Sequence, residues 1–515
     1  MESNSRCRET AQLANCVLQP GFEGTTAPDW VRRRIAEGLH SVVLFGRNIV
    51  DAEQVARLND SLRAENPDLI IAIDEEAGDV TRLEAWTGAS RPGNLALGAV
   101  DDVELTEAVA YDIGSELRSV GVSLNYAPSA DVNSNPRNPV IGVRSFGAET
   151  GAVARHTAAW VRGLQKAGVA ACAKHFPGHG DTAVDSHHGL PQVTASAQEI
   201  AATALPPFTA AMEAGVRAVM TAHLLVPAYD AELPATLSRR ILVDLLRDQL
   251  GFDGMVVTDA IEMGAVTERY GIDGATVRAV VNGVDAVCVG GEDAEESTFD
   301  LLSAALVKAV EGGTLDAERL AEAAGRVRHF AAWSASRTRA AEAAPGTGAV
   351  AGPQIGLVAA RRAVRVLGAS GSGSLLPLPD APHVVELSPT MNLAIGGVTP
   401  WGVAAPLSEL LPGTTSVRLT ETELAETELA GADGLLERST LAPAVGRPLV
   451  VVVRDAARHP WMEDAVHRML RSRPDAVVVE MGVPNGLAPG AVHLLTHGAT
   501  RVSGLAAAEV LAGRP

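Results

Sequence analysis

The sequence predicts a (β/α)8 barrel of the TIM type followed by a smaller αβα sandwich domain. Three observations carry that reading. Short apolar runs alternate with helix-period segments from the N-terminus to about Val327. There are eight of them, the strand number of such a barrel. Polar residues gather just after several of the runs, where barrel enzymes keep their chemistry.

The runs are residues 16–18, 41–45, 69–73, 122–126, 169–173, 218–221, 255–258 and 286–289. Most are continuously apolar rather than alternating, as strands covered on both faces are. The helical signal is clearest over 238–250. Ser238 is placed to cap, Ile241, Leu242, Leu245 and Leu246 share one face, and Gly251 ends the segment. Asp74, Glu75 and Glu76 follow one run, Lys174 and His175 another, His223 another and Asp259 another.

The expected division is a barrel over 1–333, a linker over 334–353 and an α/β sandwich over 354–515. The linker is rich in Ala, Gly and Ser, although 337–344 could extend a helix. In the last segment, 449–453 and 476–480 read as buried parallel strands, with an amphipathic stretch over 461–470 between them. The GSGS run at 371–374 lacks the Gly-x-Gly-x-x-Gly context of a dinucleotide site and reads as a loop.

The formal net charge is −20, from 62 acidic and 42 basic residues, which argues against nucleic acid and anionic membranes as partners. The N-terminus has no signal-peptide core and no apolar run has the length of a membrane span, so the chain reads as cytoplasmic. Cys7, Cys16, Cys172 and Cys288 show no paired spacing and are expected to be reduced thiols. Lysine is confined to Lys166, Lys174 and Lys308, and Lys174 falls in the densest polar cluster, as a site needing a compact ammonium would require.

That cluster is 174–191, KHFPGHGDTAVDSHHGLP. Pro177, Gly178 and Gly180 oppose a helix, so a strand ending near Lys174 should open into a loop bearing His175, His179, Asp181, Asp185, His187 and His188. Three readings of the loop compete. It could hold a metal, although no helical H-x-x-x-H pair or cysteine ligand set pins one. It could be a polar loop whose histidines only cap and hydrogen-bond. Or it could do acid–base work, because Asp185 and His187 are close enough in sequence for the carboxylate to orient the imidazole.

The run K-H-F-P-G-H-G-x-x-x-x-D-S-H closely resembles the signature of the β-N-acetylglucosaminidase branch of glycoside hydrolase family 3. IDEEAGDVTRL (73–83), GVRSFG (142–147), VMTAH (219–223) and VVTDAIEM (256–263) match the same family in order along the barrel. The second domain resembles the family's C-terminal sandwich in pattern only. One departure stands out: the family pattern after Asp74 is closer to Gly-Gly-Arg, where this chain has Ala77, Gly78 and Asp79.

The resemblance implies Asp259 as nucleophile, His187 as general acid/base and Asp185 as its partner. It also implies that Asp74, Arg82, Arg144, Lys174 and His175 hold the sugar's hydroxyl and acetamido groups, with no cofactor or metal. The expected activity is retaining hydrolysis of terminal β-linked N-acetylglucosamine from small glycosides, such as chitooligosaccharides or muropeptide sugars, by a monomer or homodimer. An aromatic content of 3% leaves little for a stacking platform along a polysaccharide and agrees with small substrates. A neutral imidazole repels an anionic acceptor less than a carboxylate does, so phosphorolysis at the same site is the variant reading. A metal-dependent barrel hydrolase and a non-catalytic sugar-binding protein are the alternatives from other classes. His223 is either a sugar contact or a core histidine, Glu262 a structural or capping carboxylate, and His156 a surface or packing residue.

Overall fold

The computed structural model describes residues 2–182, 189–343, 354–368, 375–390, 399–429, 437–484, 490 and 492–514. The chain forms two compact units. The first holds Met1–Glu76, Val103–Asn138 and Ala148–Gly352; the second holds Ala77–Asp102, Pro139–Gly147 and Pro353–Pro515. Two excursions from the N-terminal part of the chain therefore belong to the second unit. The helix Ala317–Ala343 runs into the segment read as a linker, and 344–353 lie outside the described residues. Among the described residues, no helix is long and apolar enough to cross a membrane.

The first unit is the barrel. Its strands are β1 (Leu18–Pro20), β2 (Ser41–Leu44), β3 (Ile70–Ile73), β4 (Leu124–Asn125), β5 (Ala170–Phe176), β6 (Ala218–Thr221), β7 (Met255–Thr258) and β8 (Val287–Val289). β2 to β7 form a parallel sheet in chain order, and β1 pairs in parallel with β8. A parallel bridge from Val257 to Ala286 joins β7 to β8, and the Ser41 hydroxyl donates to the Leu18 carbonyl at 3.3 Å beside β1 and β2. Every strand residue is buried, as the unbroken apolar runs require. The helix Arg240–Gln249 is wound as a π-helix and buries Ile241, Leu242, Leu245 and Leu246, the face read from the sequence. Ser238 spends its hydroxyl proton on Asp230 Oδ2 at 2.7 Å.

β5 departs from the sequence reading. It continues to Phe176, so Lys174 and His175 lie in the strand rather than in the loop after it. The cause is a partner segment that keeps pace beyond β4. Cys172 N donates to Ala127 O at 2.9 Å, Lys174 N to Pro128 O at 3.1 Å, and Ala130 N to Lys174 O at 2.6 Å. Beyond the strand, Gly180 passes so close to the Val132 carbonyl that a Cβ there would lie 1.7 Å from its oxygen. Only glycine fits that crossing.

The second unit is a sandwich around β9 (Arg365–Gly368), β10 (His383–Ser388), β11 (Thr415–Thr420), β12 (Leu449–Val453), β13 (Val477–Glu480) and β14 (Val492–Leu495). The sheet order is β11-β10-β12-β13-β14-β9. All pairings are parallel except β9 with β14, and the strands read at 449–453 and 476–480 pair in parallel as β12 and β13. β9 enters from the helix Gln354–Ala363 and not by a crossover from a neighbouring strand, so the chain path does not force it to run parallel. Successive side chains serve opposite faces. Val451, Val453 and Val478 pack with Met462, Val466 and Met469 of the helix Pro460–Ser472. Val450, Val452 and Val479 pack with Leu407, Ala507 and Leu511 on the other side.

Candidate active site

β7 delivers Asp259 at its C-terminal end, half-buried, with its amide donating to Thr221 O at 3.2 Å and its Oδ1 accepting from Ala260 N at 2.8 Å. Burial pushes its carboxyl upward, but His175, His223, the Ala260 amide and Lys174 together outweigh burial and hold it below the ordinary carboxylate value. It is therefore ionised at neutral pH, as a nucleophile must be. Two braces fix the backbone that follows. The His223 ring is buried, with Nδ1 2.8 Å from Thr236 Oγ1 and Nε2 2.9 Å from Ala260 O. Glu262 Oε1 accepts from the amides of Gly290, Gly291 and Glu292 beyond β8. Both residues thus hold the Asp259 loop, which favours the core-histidine reading of His223 and the structural reading of Glu262. His156 is a packing residue, fully buried with Nδ1 2.8 Å from Thr106 Oγ1.

Lys174 is the charge centre of the barrel end. Its Nζ lies 2.6 Å from Asp74 Oδ1 and 2.6 Å from Glu76 Oε1, with only 2% of its side chain exposed. Asp74 keeps 23% of its side chain exposed, whereas Glu76 keeps 3%, so Asp74 is the acid of the two able to meet a ligand. His175 Nδ1 sits 2.7 Å from Asp131 Oδ2. Asp131 also accepts from the Ser129 hydroxyl at 3.0 Å and from His179 N at 2.6 Å, and its carboxylate is fully buried. This partnership sets Nδ1 of His175 as the protonated nitrogen and directs Nε2 to other partners. Asp131 and Glu76 were not read as site residues. Asp131 lies just past the fourth apolar run, where the strand-end rule that found the others also applies.

Of the residues expected at the site, the first unit carries Asp74, Lys174, His175 and Asp259. Arg82 and Arg144 belong to the second unit. Asp185 and His187 lie outside the described residues. Among the described residues no group of three or more His, Cys, Asp or Glu is arranged to hold a metal.

Against this geometry stand the relatives. A sequence profile for the "Glycosyl hydrolase family 3 N terminal domain" matches residues 25–330, more than half of the chain. The chain belongs to glycosyl hydrolase family 3. Beta-hexosaminidase A of Pseudoalteromonas piscicida is 36% identical over 329 residues, 59% of this chain and 55% of its own length, so the chain spans about half of that relative. A beta-hexosaminidase of Chromobacterium violaceum is 34% identical over 353 residues, 65% of this chain and 96% of its own. The solved structure of a glycoside hydrolase family 3 beta-N-acetylglucosaminidase from a Paenibacillus species superposes with a TM-score of 0.83 at 34% identity, covering 98% of this chain and 96% of that one. The family 3 profile takes in the barrel motifs, and the Paenibacillus likeness extends over both units.

In this family 3 barrel the KHFPGHG stretch has a pH signature. His179 is buried, with Nδ1 2.8 Å from Thr182 Oγ1 and, among the described residues, no partner at Nε2. Burial, helped by His175, lowers its pKa to about 4. A histidine depressed in the folded state costs nothing above the unfolded value near ~6.5 and destabilises progressively as pH falls from there towards the folded value. Chemical unfolding measured from neutral pH down to about pH 4 should show stability falling, with His179 contributing up to about 1.4 kcal/mol per pH unit. His179→Gln should make that limb shallower by one proton. A limb of unchanged slope would mean that the ring protonates without cost in the folded chain.

Proposed function

We propose that the chain is a retaining β-N-acetylglucosaminidase, cleaving terminal N-acetylglucosamine from small β-glycosides. The observation that carries the reading is Asp259, held ionised at the end of β7 by the Lys174 and His175 cluster. The relatives called beta-hexosaminidase and beta-N-acetylglucosaminidase support the choice of sugar. In the first step a carboxylate oxygen of Asp259 bonds to the anomeric carbon. The bond to the leaving oxygen breaks, and His187, oriented by Asp185, gives that oxygen its proton. In the second, water attacks the same carbon, its proton passes to His187, and the ester to Asp259 breaks. Two displacements return the original anomeric configuration. Asp74, Lys174, His175, Arg82 and Arg144 hold the sugar.

Turnover of an aryl β-N-acetylglucosaminide tests this directly. Free N-acetylglucosamine should form at a rate unaffected by chelator and by added phosphate. Loss of turnover on chelation would point to a metallohydrolase, and sugar 1-phosphate formed with phosphate would point to a phosphorylase. Binding of the sugar without turnover would refute catalysis. The acid/base role has its own expected result. His187→Ala should slow glycosides with poor leaving groups by roughly 10²–10⁴-fold and activated aryl glycosides much less in the first step. Equal losses on both substrates would remove His187 from the role of general acid.

A further inference from the structure

Asp79, the acid standing where the family pattern has its Gly-Gly-Arg arginine, has its explanation within the second unit. Its Oδ2 accepts from Arg454 Nη2 at 2.7 Å and its Oδ1 from Ala499 N at 2.9 Å. Both side chains of the ion pair are buried, at 1% and 5% exposed. Asp79 sits on a tight turn closed by a bridge from Ala77 to Val80. Gly78, at φ +69°, presses so near Gly93 that a Cβ there would come within 2.4 Å of its Cα. Three residues beyond Asp79 the same strip of chain carries Arg82.

Arg454 opens the loop that follows β12, and that loop is itself immobilised. Glu480, at the end of β13, takes the amides of Asp455 at 2.9 Å, Ala456 at 3.2 Å and Gly482 at 2.6 Å. Asp455 Oδ1 takes the amide of Val483 at 2.7 Å. The Arg454 guanidinium also lies over the Trp401 ring, 5.7 Å from its centroid. From the other end of this loop, Arg458 Nη2 donates to Pro139 O at 3.1 Å, at the start of the excursion that carries Arg144. One rigid loop of the sandwich therefore grips both excursions, each at a point near one of the two arginines assigned to the sugar.

We infer that loop 454–458 is a positioning element for the sugar-holding arginines, with Arg454 setting Arg82 through Asp79 and Arg458 setting the Arg144 segment through Pro139. The inference rests on the proposed reading of the chain as a β-N-acetylglucosaminidase. Arg454 and Arg458 are positioning residues that act through the excursions and need not touch the sugar.

A double-mutant cycle between Arg454 and Arg82 is the test, with steady-state kinetics of the full chain on para-nitrophenyl β-N-acetylglucosaminide. Arg454→Met should raise KM about tenfold and leave kcat within about twofold, because a contact to the sugar made equally in the ground and transition states is loosened. In the Arg82→Ala background the same substitution should add less than about twofold, since the contact it served is already gone. Asp79→Asn keeps the side-chain shape and the acceptor for Ala499, should show the same KM pattern more weakly, and serves where Arg454→Met does not fold. Unchanged KM in a folded variant, or equal increments with and without Arg82, overturns the inference. A wild-type chain without turnover overturns the reading beneath it and the inference as well, whereas an active wild type with additive variants overturns the inference alone.

Discussion

Asp259→Asn should abolish turnover, lowering kcat on an aryl β-N-acetylglucosaminide by on the order of 10⁴-fold or more. The substitution changes little in the packing. The half-buried side chain keeps its size, and the amide oxygen still accepts from Ala260 N, which now reaches Oδ1 at 2.8 Å. What disappears is the negative charge that His175, His223 and Lys174 stabilise, and with it the proposed nucleophile. Thermal stability should therefore change far less than activity. That contrast separates loss of chemistry from loss of fold. Mass spectrometry of the variant after incubation with a slow fluorinated aryl glycoside gives a second readout: wild type should gain the mass of one sugar and Asp259→Asn should not. A variant that still traps a glycosyl-enzyme would move the nucleophile to another residue, and Asp74, an acid at a strand end with a partly exposed side chain, would be the first to examine.

The barrel was legible because its strands are continuous apolar runs, a pattern imposed by burial on both faces. β6 and β7 match the runs at 218–221 and 255–258, while β5 outran its reading because the segment after β4 pairs with it. That pairing is tertiary and leaves no local mark. The same holds for membership of Ala77–Asp102 and Pro139–Gly147 in the second unit. Asp79 was visible as an anomaly, yet its partner Arg454 lies 375 positions away and no local rule could name it. At the site, strand-end placement found Asp74, Lys174, His175 and Asp259, but it could not rank carboxylates. Asp131, which orients His175, and Glu76, which flanks Lys174, look in sequence like any other acids near a strand. The family resemblance separated Asp259 from Asp74; the structure adds that Asp74 and Glu76 share Lys174 as ion-pair partner while Asp259 has no ion pair of that kind among the described residues.

Lys174→Met should destabilise the fold by about 3–5 kcal/mol at neutral pH, the usual result of stripping one partner from a buried ion pair. The side chain is 2% exposed and bonded at 2.6 Å to both Asp74 and Glu76, so its removal leaves two carboxylates facing an apolar thioether. Methionine fills nearly the same volume, which keeps cavity formation out of the comparison. Asp74 can recover hydration through its 23% exposed side chain, whereas Glu76, at 3%, cannot. Most of the cost should therefore trace to Glu76. Chemical unfolding of Lys174→Met/Glu76→Gln should regain a substantial part of the loss, while Lys174→Met/Asp74→Asn regains less, because the asparagine replaces a charge that water already served. Equal recovery in the two double variants would mean that both acids reach solvent equally well. A single variant within about 1 kcal/mol of wild type would place the ammonium in water and leave the cluster no more than a surface pair. The pair also bears on chemistry. Lys174 is one of the groups holding Asp259 ionised, so folded Lys174→Met should have the acid limb of its kcat/KM profile moved to higher pH.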